Sequence, residues 1–279
     1  MDASVLQLPA EHEASLAAWS RATPLSALGP LLQEQVDLHV QGEASPRVFR
    51  MWRPAEPDRL LEHPSTLEAF SHDEYMPYWC DLWPVSRMLA KAILASDWQS
   101  GTLALEVGCG LGMAGVAALA KGLQVVFSDY DATALRFAAA NALEHGYRQF
   151  ELLPFDWSNP PKRQFSFIFA ADLLYEMRSV APVVALIDKM LAPHGIAWIT
   201  DQDRTPSTLW RRCAVILLAT LWPAVGGEIR ITASPARETS APQSGACLMR
   251  LSDDWRLPAP PDPVRPITVP DSASGSIMP

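Results

Sequence analysis

The chain has 279 residues, 49% apolar and 19% charged, and its 22 Lys and Arg stand against 31 Asp and Glu, a net charge of -9. With a mean hydropathy of +0.04 this is the composition of a globular protein that can bury a full core. It excludes a disordered or fibrous chain and disfavours nucleic-acid binding, which draws on clustered cations.

The first residues carry Asp2, Glu11, His12 and Glu13 with neither a basic nor an apolar leader segment, so a cytoplasmic location is expected. A helix is read from Ala10 to Trp19, then two short alternating runs, Glu34 to Val40 and Arg47 to Trp52, that suit a hairpin. Pro84 fits a first helical turn, and Met88, Leu89, Ala92 and Ile93 are spaced as one apolar face. Beyond it strands are expected at Leu103 to Val107, Gln124 to Ser128, Phe150 to Leu153, Phe165 to Ala170 and Gly195 to Thr200. Helical patterns separate or follow them at Met113 to Lys121, Ala132 to His145 with Asp131 as its cap, Ser179 to Leu191 and Ser207 to Leu221. Strands alternating with helices mean a parallel sheet covered on both faces. Glu228 to Thr232 and Ala246 to Leu251 read as an antiparallel pair at its end. From Arg256 to Pro279 seven prolines fall in 24 residues, a composition with little to bury, so a disordered tail is expected.

The apolar run from Cys213 to Trp222 is far shorter than the roughly 20 residues that span a bilayer, so no membrane partner is expected. Cys80, Cys109, Cys213 and Cys247 make no CxxC pair and no two of the six His stand four residues apart, so no metal site is expected either.

The strongest local signal is the run from Leu105 to Gly115, directly after a strand and opening a helix. Gly110, Gly112 and Gly115 satisfy the GxGxxG of dinucleotide folds, while Glu106, Gly108, Gly110 and Gly112 satisfy the ExGxGxG of S-adenosylmethionine sites. Tight strand-to-helix packing is the purely structural alternative. A carboxylate at Glu106 about 5 Å from a phosphate would cost roughly 3 kcal/mol at an effective dielectric of about 20, so a nicotinamide dinucleotide is disfavoured. A sulfonium cofactor carries no phosphate. Asp129, ending the second strand 21 residues after Gly108, is placed to accept hydrogen bonds from ribose hydroxyls.

Four motifs then occur in order: Tyr78-Trp79 with Leu82-Trp83-Pro84, the Glu106 to Gly112 loop, Asp156-Trp157, and Ala171-Asp172-Leu173-Leu174-Tyr175. Their ordered set resembles the seven-strand, class I S-adenosylmethionine-dependent methyltransferases. Within them it resembles methyltransferase family 16, the branch rich in protein-lysine methyltransferases. Tyr78 to Pro84 and Thr200 to Pro206 look most like that branch's bacterial and mitochondrial members. In those the second segment usually reads Asp-Pro-Gly-Arg-Pro; here Gln202 and Asp203 replace Pro and Gly, and Thr205 intervenes.

The resemblance implies an α/β, doubly wound Rossmann-like, mostly parallel seven-stranded sheet with a C-terminal antiparallel strand pair. The corresponding organisation is an extension over 1–75, a methyltransferase domain over 76–252 and a tail over 253–279. It implies that S-adenosylmethionine is held by Trp83, Glu106, Gly108, Cys109, Gly110, Gly112, Asp129, Asp156, Trp157 and Ala171. Gly108, Cys109 and Gly110 approach its methionine part, and Asp156 with Trp157 borders the adenine, where a flat purine wants an aromatic wall and an acceptor. Asp172 is expected to orient the acceptor amine and Tyr175 to shape the pocket, although an Asp at a strand end also suits a turn cap and a Tyr may simply pack. The implied reaction is N-methylation of a protein lysine by a monomer. The alternatives are a small-molecule amine or heteroaromatic as acceptor, and a non-catalytic S-adenosylmethionine-binding scaffold.

Overall fold

The computed structural model describes residues 3–174, 176–202, 229–232 and 246–251. Helix α1 (Ala10–Ala17) precedes strands β1 (Leu31–Leu38) and β2 (Arg47–Pro54), which pair antiparallel with Leu31 opposite Pro54 and Leu38 opposite Arg47. Two helices follow, α2 (Pro57–Leu61) and α3 (Pro64–Asp73), both opened by proline and neither anticipated from the sequence. Helix α4 (Pro84–Ala95) leads into the alternating series β3 (Leu103–Val107), α5 (Met113–Ala120), β4 (Gln124–Ser128), α6 (Ala132–Glu144) and β5 (Phe150–Leu152). Then come β6 (Phe165–Ala171), α7 (Met177–Met190), β7 (Leu191–Gln202), β8 (Ile229–Thr232) and β9 (Ala246–Leu251).

The sheet order is β5-β4-β3-β6-β7-β9-β8. The first five strands run parallel, and β9 lies between β7 and β8, antiparallel to both. The expected final strand pair is therefore present, with only β9 reversed. Strand β7 begins earlier than the sequence pattern indicated. Its register against β6 shifts between Leu191 and Ile196, and His194 inside that irregularity has φ 61°.

Side chains alternate across the strands and build two cores. Ala104, Val125, Phe127, Phe167, Phe169 and Trp198 point to the face covered by α4, α5 and α6, whereas Leu105, Val107, Val126, Ile168, Ala170, Ala197 and Ile199 meet α7 on the other. The extension shares the first core: Leu6, Leu16, Val36, Phe49, Met51 and Leu60 lie in the same buried cluster as Leu89, Val116 and Phe137. On α4 the buried face is Val85, Leu89, Ala90, Ile93 and Leu94, while Met88 is 47% exposed. The expected face is thus rotated by part of a turn, because α4 packs flat against both the sheet and α5.

Polar side chains fix the extension to the sheet. Asn141 on α6 accepts the Trp52 N–H at 2.6 Å and donates to the Trp52 and Leu111 carbonyls, so the free edge of β2 is closed by a side chain. Asp131, wholly buried, caps α6 as the sequence indicated by accepting the Thr133 N–H at 2.7 Å. It also accepts from the Thr23 N–H and hydroxyl, from the Tyr75 hydroxyl and from Trp79 Nε1 at 3.2 Å. The segment around Thr23 and the segment from Tyr75 to Trp79 therefore converge on one carboxylate. The expected helix at Ser207 to Leu221 and the proline-rich tail lie outside the described residues.

Candidate functional site

At the carboxyl ends of β3, β4 and β6, where the strand order reverses, a cleft of about 440 Å³ opens, within the range of small-molecule sites. It is lined by the loop after β3, by Asp129 and Tyr130 after β4, by Phe155 to Ser158 after β5 and by Ala171 to Leu173 after β6. Its outer wall is the segment from Asp73 to Ser86 together with Glu176, Arg178 and Pro182 at the start of α7.

The loop after β3 turns on Gly108, Gly110 and Gly112, with φ of 60°, 52° and 77°. A Cβ on Gly108 would come within 2.4 Å of Leu173, so the loop packs directly on the turn that carries Asp172. Gly112 behaves differently from the expectation. A Cβ there would lie 2.8 Å from Ala138 and 3.1 Å from Phe127, and its N–H bonds the Cys109 carbonyl, so it serves the contact between α5 and α6 and does not border the cleft.

Glu106 also takes a role other than the one its charge implied. It is 3% exposed beneath the loop, and its Oε2 accepts the Gly115 N–H at 3.0 Å. Gly112 at the N-cap of α5 has no side chain, so Glu106 satisfies a helix-start donor from the neighbouring strand. Burial pushes its pKa well above the usual carboxylate range, a cost only partly offset by the bonded backbone. Glu106 still lines the cleft floor, and with it stand the carboxyl groups of Asp73, Glu74, Asp81, Asp129, Asp156, Asp172 and Glu176, against Arg178 as the one cation among the described lining residues. That excess repels phosphate and suits a cationic ligand.

Asp129 is braced by two backbone donors, Gly110 N–H at 2.9 Å and Asp131 N–H at 3.0 Å. Burial raises its pKa to about 6 despite those bonds. Cys109 is buried at the loop's tip with its thiol pushed up by the same desolvation, so it is a wall and not a nucleophile. Trp83, Asp156, Trp157 and Ala171 all border the cleft. Trp83 Nε1 donates to the Tyr78 carbonyl at 2.7 Å, and Asp156 Oδ1 accepts from the Ser158 N–H and hydroxyl.

Asp172 sits at the end of β6, 9% exposed, with φ 57°, a left-handed conformation that Asp tolerates better than most residues. Its N–H bonds the Thr200 carbonyl at 2.8 Å, and two residues on, the Leu174 N–H bonds Asp201 Oδ2 at 2.8 Å. The turn is therefore held from β7, which aims Asp172 at the cleft. Tyr175 lies outside the described residues. Sequence reasoning gave no site role to Tyr75, Trp79, Tyr130 or Arg178, although Trp79 belongs to the motif that carries Trp83. The first three form one aromatic wall, with the Arg21 guanidinium over the Tyr75 and Tyr130 rings at 4.9 and 5.2 Å. Trp79, inside that motif, and Tyr130, directly after Asp129, carried a local signal.

The donor set fits S-adenosylmethionine: carboxylates line the cleft for its cationic groups, Asp129 is available to a ribose, and Trp157 and Phe155 offer apolar surface to a purine. Residues 105–197 match the family model described as a methyltransferase domain. No curated protein sequence matches. Among solved structures, the chain is similar to the N-methyltransferase NodS of Bradyrhizobium japonicum in complex with S-adenosyl-l-homocysteine, at 18% identity and TM-score 0.47 over 68% of this chain and 97% of that one. It is also similar to a TehB-like SAM-dependent methyltransferase of Corynebacterium glutamicum, at 17% identity and TM-score 0.42 over 67% and 94%. A ribosomal protein L11 methylase of Lactobacillus delbrueckii subsp. bulgaricus gives 17% and 0.46 over 60% and 77%. The cofactor indicated by the domain match and the cleft is S-adenosylmethionine. Residues 105–197 thus carry the match to a methyltransferase domain, and they form the part of the chain that builds the cleft's loops after β3, β4, β5 and β6.

Proposed function

We propose that the chain N-methylates the side-chain amine of a lysine in a protein. The observation that carries this reading is the cleft's charge: eight lining carboxyl groups against one guanidinium, with Asp172 among them at the end of β6. When bound, S-adenosylmethionine supplies a methyl group on a sulfonium, whose departure needs no general acid. Asp129 would hold the ribose hydroxyls, Trp157 and Asp156 the adenine, and Gly108, Cys109 and Gly110 the methionine part, with Trp83 closing that end.

The acceptor side falls to Asp172. A lysine reaches the cleft as an ammonium, and wall carboxylates draw it in. It must then lose its proton to solvent water at the cleft mouth, a step that burial against Leu173, Phe155 and the aromatic wall promotes and that the carboxylates oppose. Methyl transfer to the neutral amine then leaves a methylated ammonium and S-adenosylhomocysteine. Asp172 accepts a hydrogen bond from the amine and points its lone pair, so its contribution is orientation. The rigid turn held by Thr200 and Asp201 makes that orientation cheap to maintain.

The test is to incubate the protein with methyl-labelled S-adenosylmethionine and lysate from cells lacking it. Label in a discrete protein band, released as N-methyllysine on acid hydrolysis, supports the reading. Label confined to the small-molecule fraction assigns a free amine instead, and no label above background assigns a binding scaffold.

A further inference from the structure

Helix α3 is turned inside out for a surface helix. Its buried residue is polar Thr66, whose hydroxyl donates to the Leu60 carbonyl at 2.8 Å, whereas Leu67 and Phe70 are 58% and 48% exposed. An amphipathic helix of a globular protein places such residues against the core. Isolated exposed apolar side chains are ordinary, but these are not isolated. Of the six large hydrophobic residues exposed among the described residues, three, Leu67, Phe70 and Tyr78, fall within the twelve positions leading into the cleft. Leu67, Phe70 and Glu74 stand at i, i+3 and i+7, one stripe along the helix, and Glu74 and Tyr78 line the cleft itself.

We infer that this α3 stripe is a docking surface for a lysine-bearing protein segment that carries a bulky apolar side chain two to four residues from its lysine. The inference rests on the lysine reading above and narrows it. Charge complementarity selects the occupant: the stripe ends at Asp73 and Glu74, with Asp81 and Glu176 also on the cleft wall, so the segment entering there is cationic at that point and apolar beside it. Distance sets the spacing. Four helical residues separate Phe70 from Glu74, about 6 Å along the axis, and seven separate Leu67, about 10 Å, at about 1.5 Å each. An extended segment covers those lengths in roughly two to three residues at about 3.3 Å each, and a bent one in one more. Glu74 is already paired with Arg178, which also pairs with Glu176, so the rim is held in place before a segment arrives. A free amine would use the carboxylates alone and leave the stripe without a role.

The probe is a pool of nonapeptides with a fixed central lysine and randomised flanks, methylated with labelled S-adenosylmethionine and read by mass spectrometry. The expected result is enrichment of Leu, Ile, Phe or Met at least fivefold at two to four positions from the methylated lysine. The variant Leu67→Ser/Phe70→Ser, and Phe70→Gln alone, should abolish the enrichment while melting temperature and S-adenosylhomocysteine affinity by calorimetry stay within error. Methylation of the pool without apolar enrichment, or enrichment that survives both variants, overturns the docking surface and leaves the lysine reading standing. Label entering free amines but no peptide overturns both. A dimer in sedimentation that the double variant converts to monomer assigns the stripe to a second copy of the chain and likewise overturns the inference.

Discussion

Asp131→Ala tests whether one buried carboxylate ties the extension to the sheet. In the native structure that side chain caps α6 through the Thr133 N–H, accepts the Thr23 N–H and hydroxyl, and accepts the Tyr75 hydroxyl. Trp79 Nε1 has a second partner in the Tyr75 oxygen at 3.0 Å, so it is not orphaned by the change. Loss of the cap costs about 1 kcal/mol. The Thr23 N–H and the Tyr75 hydroxyl, left without acceptors in a dry site, add roughly 1 to 2 kcal/mol each. Relief of the carboxylate's own burial offsets part of this, leaving a destabilisation of about 3 to 4 kcal/mol. For a chain of this length that corresponds to a fall in melting temperature of about 10 °C. Urea denaturation followed by tryptophan fluorescence measures it, since Trp19, Trp52 and Trp79 all lie near the junction. The same variant should weaken S-adenosylhomocysteine binding several-fold, because the backbone N–H at 131 that braces Asp129 is kept by alanine but loses the side-chain contacts that hold its position. A loss under 1.5 kcal/mol, or unchanged cofactor affinity, would refute the argument that this network links the two.

Other outcomes follow from the same geometry. Asp129, with its pKa raised to about 6 by burial, has to be ionised to hold a ribose. Cofactor affinity should therefore be flat above pH 7 and fall about tenfold per unit well below pH 6, as calorimetry across pH 5 to 8 would show. For stability the sign is opposite: a carboxylate whose folded pKa lies above its unfolded value destabilises the cofactor-free protein at neutral pH, and that cost is relieved as pH falls through 6. Asp172→Asn should leave melting and most cofactor affinity intact while methyl transfer drops by about two orders of magnitude through lost positioning; near-normal turnover would return Asp172 to a turn-capping role. Gly115→Ala should destabilise by about 3 kcal/mol, since its Cβ would stand 2.2 Å from Phe127 and 2.4 Å from Glu106 Oε2. A melting temperature within 2 °C of the parent would show that the β3–α5 contact yields easily.

Much of the fold was legible in the sequence because its causes are local. The nearly unbroken apolar runs of Phe165 to Ala170 and Val125 to Phe127, and the wholly apolar stretch of α5, follow from burial on both sheet faces. Asp131 declared the start of α6 because a cap needs only a side chain and an N–H two residues away. The glycine loop announced the cleft because three consecutive left-handed turns admit little else. What the sequence could not order were choices made by partners distant in the chain. Glu106 sits where the motif demands a carboxylate, yet only the packing of α5 over β3 tied it to the Gly115 N–H at the cleft floor, with Asp129 and the other lining acids around it. Gly112 matched the same motif, but Ala138 on another helix decided that its missing side chain serves packing. Thr23, Tyr75 and Asp131, as many as 108 residues apart, share no pattern that a periodicity can register. Their convergence is set by the packing of the extension onto the core it shares with α6 and by the requirement that a buried carboxylate find donors from whatever segments pass it.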